Sequence, residues 1–115
     1  MPPRLKLLFV CSRNRWRSPT AERVFARTPG LAVRSRGVSA SAVRRLTGAD
    51  VAWADVIMVM EADHKRQVTK RFRGDLADRP IHVLDIPDAY RFMDPELVEL
   101  LETSVRSALG PREDD

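Results

Sequence analysis

The stretch LKLLFVCSRNRWRSPTAE, residues 5–22, decides the fold. Leu5 to Val10 is apolar except for Lys6, the pattern of a strand buried on both faces. Ser18 and Pro19 then open a helix, with Ser18 placed to cap it and Pro19 in the first turn. The apolar face of that helix is Ala21, Val24 and Phe25, and Thr28-Pro29-Gly30 ends it. Between strand and helix lie the only cysteine of the chain, Cys11, and three arginines within the next six residues. A buried structural cysteine needs no cations. A cysteine that must carry charge does.

Outward from this segment the chain keeps alternating. Leu31 to Ser35 reads as a second, shorter strand. Thr47 and Asp50 have the spacing of a capping box, with Leu46 and Val51 as a hydrophobic staple, so a short helix covers 48–53. Val56 to Met60 is the clearest central strand. Ala62 to Phe72 is helical, with His64, Val68 and Phe72 spaced four apart. His82 to Ile86 is the last strand. Asp94-Pro95 starts the final helix, whose inner stripe is Leu97, Leu100, Leu101, Val105 and Ala108. Strand, helix, strand, helix throughout means a parallel sheet covered on both faces. Its reactive end is where strand carboxyl ends meet helix amino ends, and Cys11 falls there.

At 115 residues the chain is expected to form one domain, residues 1–110, with 111–115 a disordered tail. A hydrophobic content of 43% and a charged content of 31% are those of an ordinary globular protein. One cysteine excludes an internal disulfide, and with only His64 and His82 besides it no metal site is expected. No cofactor is called for either. The apolar run LKLLFVC is too short for a bilayer span or a secretory signal, so a cytoplasmic location is expected. The formal charge is +4, and Arg outnumbers Lys 17 to 3. An Arg-rich surface suits phosphate, because the planar guanidinium fork can bind two oxygens at once.

The pattern at the site is Cys11, five residues, Arg17, Ser18. A loop of this size between a strand and a helix can turn its main-chain amides, Ser12 to Trp16, toward one point at the positive end of the helix dipole. That makes a site for a tetrahedral oxyanion. Arg17 can clamp two phosphate oxygens, with Cys11 beneath the phosphorus. The same field acts on sulfur: a free thiol titrates near about 8.5, and a helix N-terminus with cations lowers such a value to roughly 3.5–7.5. Ser18 can donate a hydrogen bond to the thiolate, which is then a nucleophile for phosphate-ester cleavage. A nucleotide loop of the Walker type is excluded, since no glycine or lysine lies between residues 11 and 18.

LLFVCSRNRWRSPTAE closely resembles the active-site segment of the low-molecular-weight protein tyrosine phosphatases, V-C-x-G-N-x-C-R-S-P-x-A-E. VRSRG (33–37), RRLTGADVAWADVIMVMEADH (44–64) and LDIPDAY (84–90) resemble later segments of that family. The resemblance implies a single-domain α/β three-layer sandwich, a four-stranded parallel sheet of order 2-1-3-4 with helices on both faces, in a bacterial, cytoplasmic hydrolase. It implies Cys11 as nucleophile through a phosphocysteine, Arg17 as phosphate clamp and Ser18 as support for the thiolate. Ser12, Arg13, Arg15 and Trp16 complete the loop, and Asn14 holds a left-handed turn, which Asn tolerates. The substrate implied is a phosphorylated protein or a small aryl phosphate, with inorganic phosphate and other oxyanions as inhibitors.

Three aspartates compete for the general acid. Asp94 precedes Pro95 and an apolar helix, the position of an N-cap. Asp85 is close to the strand end and reads as structural. Asp88 has no such duty and aligns with the family's acid, so it is taken as acid and then base. Tyr90 is taken as the substrate-ring contact, with core packing as the other use of Tyr90 and Phe92. Three departures stand out. The usual loop glycine is Arg13, the usual second cysteine is Trp16, and a helix and an aromatic-bearing loop are missing between VRSRG and RRLTGAD. Other readings are a non-catalytic phosphate-binding module and an arsenate reductase using an external thiol. Nucleic-acid binding lacks an interleaved aromatic platform.

Overall fold

The computed structural model describes residues 4–110. The proposed tail, 111–115, lies outside them. Four strands, β1 (Leu5–Cys11), β2 (Leu31–Gly37), β3 (Val56–Val59) and β4 (Ile81–Val83), form one parallel sheet of order β2-β1-β3-β4. The helices are α1 (Arg17–Phe25), α2 (Gly48–Trp53), α3 (Ala62–Arg71), α4 (Arg73–Leu76) and α5 (Pro95–Leu109). This is the sandwich that the alternation of apolar strands and capped helices predicts.

Period-two side-chain alternation along β1 divides the core. Leu7, Phe9 and Cys11 face one side, packed with Ala21 and Phe25 of α1 and Leu97, Leu101 and Val105 of α5. Leu8 and Val10 face the other, against Val51 of α2 and Val68 of α3. Both faces of β1 are therefore dry, which is why its sequence is a continuous apolar run rather than an alternating one. The rings of Phe9 and Phe25 stack with centroids 5.9 Å apart, fixing α1 over the strand that feeds the loop.

The capping signals are realised at two helices. Thr47 and Asp50 form the reciprocal box on α2, and Asp94 caps α5 by accepting from the Glu96 amide at 2.9 Å, with Pro95 first in the helix. Three element readings are corrected. Ser18 does not cap α1: Trp16 occupies that position without a side-chain bond, and Ser18 lies inside the helix with its hydroxyl turned back to Cys11. β4 ends at Val83 rather than Ile86, because Asp85 turns to φ 57°. Even so, Leu84 and Ile86 still donate to Val59 and Met60 of the neighbouring chain segment, at 2.8 and 2.9 Å. β2 runs two residues past Ser35, to Gly37, paired with Cys11. No helix forms between β2 and α2; residues 38–46 make a short loop instead.

Candidate active site

The loop from Ser12 to Trp16 is shaped by what its carbonyls do. The carbonyl of Cys11 accepts from the Val38 amide at 3.0 Å, that of Ser12 from Ser39 at 2.8 Å, and that of Arg13 from Val43 at 3.0 Å. With the carbonyls turned to the 38–43 segment, the amides of residues 12–16 donate to no protein acceptor among the described residues. Gly37 makes this approach possible. A Cβ there would lie 2.7 Å from the Ser12 carbonyl oxygen and 2.9 Å from the Asn14 nitrogen. Asn14 takes the left-handed turn at φ 55°, while Arg13, at the usual glycine position, keeps a negative φ. An ordinary side chain is tolerated at 13 because the left-handed turn falls on Asn14.

Behind the loop, a chain of hydrogen bonds, buried at Ser18 and opening to the surface at Arg44, sets the direction of each donor. Arg44 can only donate, and it donates from Nε to Asn14 Oδ1 at 3.2 Å. The amide nitrogen of Asn14 therefore faces Ser18 and donates to its Oγ at 2.9 Å. Having accepted there, the Ser18 hydroxyl keeps its own proton for Cys11 Sγ at 2.9 Å or the Arg36 carbonyl at 3.3 Å. Arg44 is held in turn by Glu22 at 2.6 Å and Ser35 at 2.9 Å. Sequence reading singled out Asn14 and Ser18 but not Arg44, whose 30-residue separation from Asn14 leaves no local signal.

The guanidinium of Arg17 is 2% exposed. It donates to the Ile86 carbonyl at 2.9 Å and pairs with the Glu61 carboxylate, while its Nε lies 3.8 Å from Asp88 Oδ1. Glu61 was not anticipated. It lies two residues past β3, at the same sheet end as Cys11, and that position was the available clue. His64, three residues on, is buried beneath the loop. Its Nδ1 accepts from the Glu61 amide at 3.1 Å, so the ring proton sits on Nε2 and is donated to Ser12 Oγ at 2.9 Å. Burial, and then the Arg17 guanidinium, hold this imidazole below its ordinary value of 6.5.

These groups border one cleft of about 430 Å³, lined by Cys11, Ser12, Arg13, Arg15, Trp16, Arg17 and Asp88. Asn14 and Ser18 stand behind it, not in it. Asp88 reaches it from an exposed position, whereas Asp94 is committed to α5 and Asp85 is exposed beyond the strand end. Tyr90 does not line the cleft. It packs on the Leu97–Leu101 side of the core, and burial, then the Glu96 and Asp94 carboxylates, raise its phenol above 10.0. Trp16 is the aromatic wall. Among the described residues no cluster of His, Cys, Asp and Glu could hold a metal, and no helix is long and apolar enough to cross a membrane.

Fold and cleft together define a class: parallel α/β domains whose first strand ends in a cysteine followed by a loop of unpaired main-chain amides. No protein-family model and no curated protein matches the chain by sequence. Solved structures do. The tyrosine phosphatase Wzb of Escherichia coli K30, in complex with phosphate, superposes with a TM-score of 0.69 and 25% identity, covering 91% of this chain and 98% of that one. The low-molecular-weight protein tyrosine phosphatase SP-PTP of Streptococcus pyogenes gives 0.75 at 20% identity, covering 95% of each chain. The arginine phosphatase YwlE of Geobacillus stearothermophilus gives 0.67 at 22%, covering 91% of this chain and 92% of that one. The chain has the low-molecular-weight protein tyrosine phosphatase fold.

Proposed function

We propose that this protein is a phosphomonoester hydrolase of the low-molecular-weight type, acting on phosphotyrosine in proteins through a phosphocysteine. The observation that carries the proposal is the coincidence, in one cleft, of Cys11, Arg17 and Asp88 with a loop whose amides have no other acceptor among the described residues. Five free amides and one guanidinium can surround three phosphate oxygens where charge builds up in the transition state. The Cys11 thiolate attacks phosphorus in line, and the bond to the ester oxygen breaks. Asp88, protonated, gives its proton to the departing phenolate, a contribution of typically ~10²–10⁴ in rate. Water then attacks the phosphocysteine with Asp88 as base, releasing inorganic phosphate and restoring the thiolate.

Ser18 and Asn14 act from behind: the Arg44-oriented amide points the serine proton at sulfur in both steps. The resemblance of the loop segment to the phosphatase signature supports these roles. So does the phosphate held by the Wzb relative. Hydrolysis of para-nitrophenyl phosphate tests the reading: it is expected in the native chain, absent in Cys11→Ser, and competitively blocked by phosphate and vanadate. Phosphotyrosine and phosphoarginine peptides, compared side by side, test the substrate class. Vanadate-sensitive phosphate binding without turnover of any ester would instead make the chain a binding module.

A further inference from the structure

We infer that the cleft selects phosphomonoesters bearing a second anionic group next to the reacting phosphate, read by Arg13 and Arg15; this rests on the hydrolase reading above. The charges around the cleft are unevenly matched. Arg17, the inner guanidinium, already faces two carboxylates, Glu61 in direct contact and Asp88 at 3.8 Å. Its single positive charge is balanced before any substrate enters. Arg13 and Arg15 line the same cleft, are exposed, and have no carboxylate within ion-pair reach among the described residues. They are two uncompensated cations at the mouth.

Arg15 is also held in place. Its guanidinium lies 5.2 Å from the centroid of the Trp16 ring, which is 37% exposed and forms a wall of the cleft. A cation–aromatic contact of this kind limits the rotamers of a side chain that would otherwise sweep through solvent. The cleft, at about 430 Å³, has room for more than a phosphate group. A phosphate seated over buried Cys11 on the five loop amides leaves the planar forks of the exposed mouth arginines free to meet a second group. A substrate with an adjacent carboxylate or second phosphate meets a planar fork suited to either oxyanion.

The test compares kcat/KM for phosphotyrosine peptides identical except at the two flanking residues, which are Asp, Ala or Lys. A fourth peptide carries a second phosphotyrosine beside the first. The Asp peptide is expected to exceed the Ala peptide by about tenfold at low salt, mostly through KM, with the Lys peptide below both. The preference should shrink in 0.5 M NaCl, a measurement on the native chain that needs no variant. It should vanish in the Arg13→Ala/Arg15→Ala double variant and invert in Arg15→Glu. If the doubly phosphorylated peptide outranks the Asp peptide, the second group is a phosphate; if the two are equal, any anion serves, and both rankings support the inference. Equal kcat/KM for Asp, Ala and Lys peptides, or a preference surviving in the double variant, overturns it while leaving the hydrolase reading intact. Failure to turn over every peptide and para-nitrophenyl phosphate overturns the hydrolase reading and this inference together.

Discussion

Gly37→Ala is the sharpest single perturbation of the Ser12–Trp16 loop, because it adds one methyl group and touches no side chain that lines the cleft. The new carbon would lie 2.6 Å from Ala42 Cβ, 2.7 Å from the Ser12 carbonyl oxygen and 2.9 Å from the Asn14 nitrogen. None of the three can rotate away, since two are main-chain atoms of the loop and the third is fixed to the 38–43 segment that holds it. Relieving the Ser12 contact to an ordinary 3.4 Å requires a shift of about 0.7 Å (3.4 − 2.7). Forcing a methyl group into a packed site costs about 1–3 kcal/mol, and the rigidity of these neighbours puts the expected loss near 2–3. In a domain of this size that is a fall of roughly 10 °C in Tm. A loop displaced by most of an ångström should also cost on the order of 10–10²-fold in kcat, since positioning losses reach ~10² for 1 Å. Gly74→Ala is the matched control: nothing lies within 4 Å of its new carbon, so stability should stay level or rise by about 0.4–1 kcal/mol. Thermal melts and para-nitrophenyl phosphate turnover on both variants decide the matter. A Gly37→Ala protein as stable as the native chain and within twofold of its activity would refute the account of how the loop is shaped.

His64 is held neutral, with its folded-state value below 6.5, so the unfolded chain binds the extra proton first. Stability from this group is complete above pH 6.5 and declines as pH falls toward the folded value; Tm measured from pH 7.5 to 5 should drop more steeply in the native chain than in His64→Gln. Asp94→Ala should lose about 1 kcal/mol in urea denaturation through its cap on α5 with little change in kcat, whereas Asp88→Asn should lower kcat by about 10²–10³ with little change in stability. The reverse pattern would exchange their roles. Asp50 accepts from Arg34 at 3.2 Å, from Arg36 at 3.1 Å and from the Thr47 amide at 3.1 Å while nearly buried, so Asp50→Ala should cost about 3 kcal/mol by denaturant titration. Arg44→Met should leave the fold intact and slow turnover, because Asn14 is then free to rotate its amide and Ser18 loses the donor that orients it; kcat should fall by about tenfold with KM within threefold.

The elements were legible in the sequence because their causes are local. The apolar run at Leu5–Val10, the Thr47–Asp50 box and the Asp94-Pro95 start each act within a few residues, and each appears in the structure where its chemistry puts it. So was the placement of Cys11 at the carboxyl end of a central strand, since strand–helix alternation forces a parallel sheet. Ser18 carries the chemistry both of a cap and of a partner for sulfur, and only the second is used, with its hydroxyl 2.9 Å from Cys11 Sγ. Asp85 interrupts what composition would continue as strand.

By itself, then, the sequence determined the parallel sheet and its two apolar faces, consequences of periodicity and nearest-neighbour sterics, and it placed the Cys11-to-Ser18 motif between the first strand and the first helix. Only the tertiary structure decided that Glu61 would occupy Arg17, that His64 and Arg44 would brace the loop from 52 and 30 residues away, and that Trp16 rather than Tyr90 would border the cleft. Those contacts join separate elements across the sheet, and a hydrogen bond between residues far apart in the chain leaves no periodic trace in either segment.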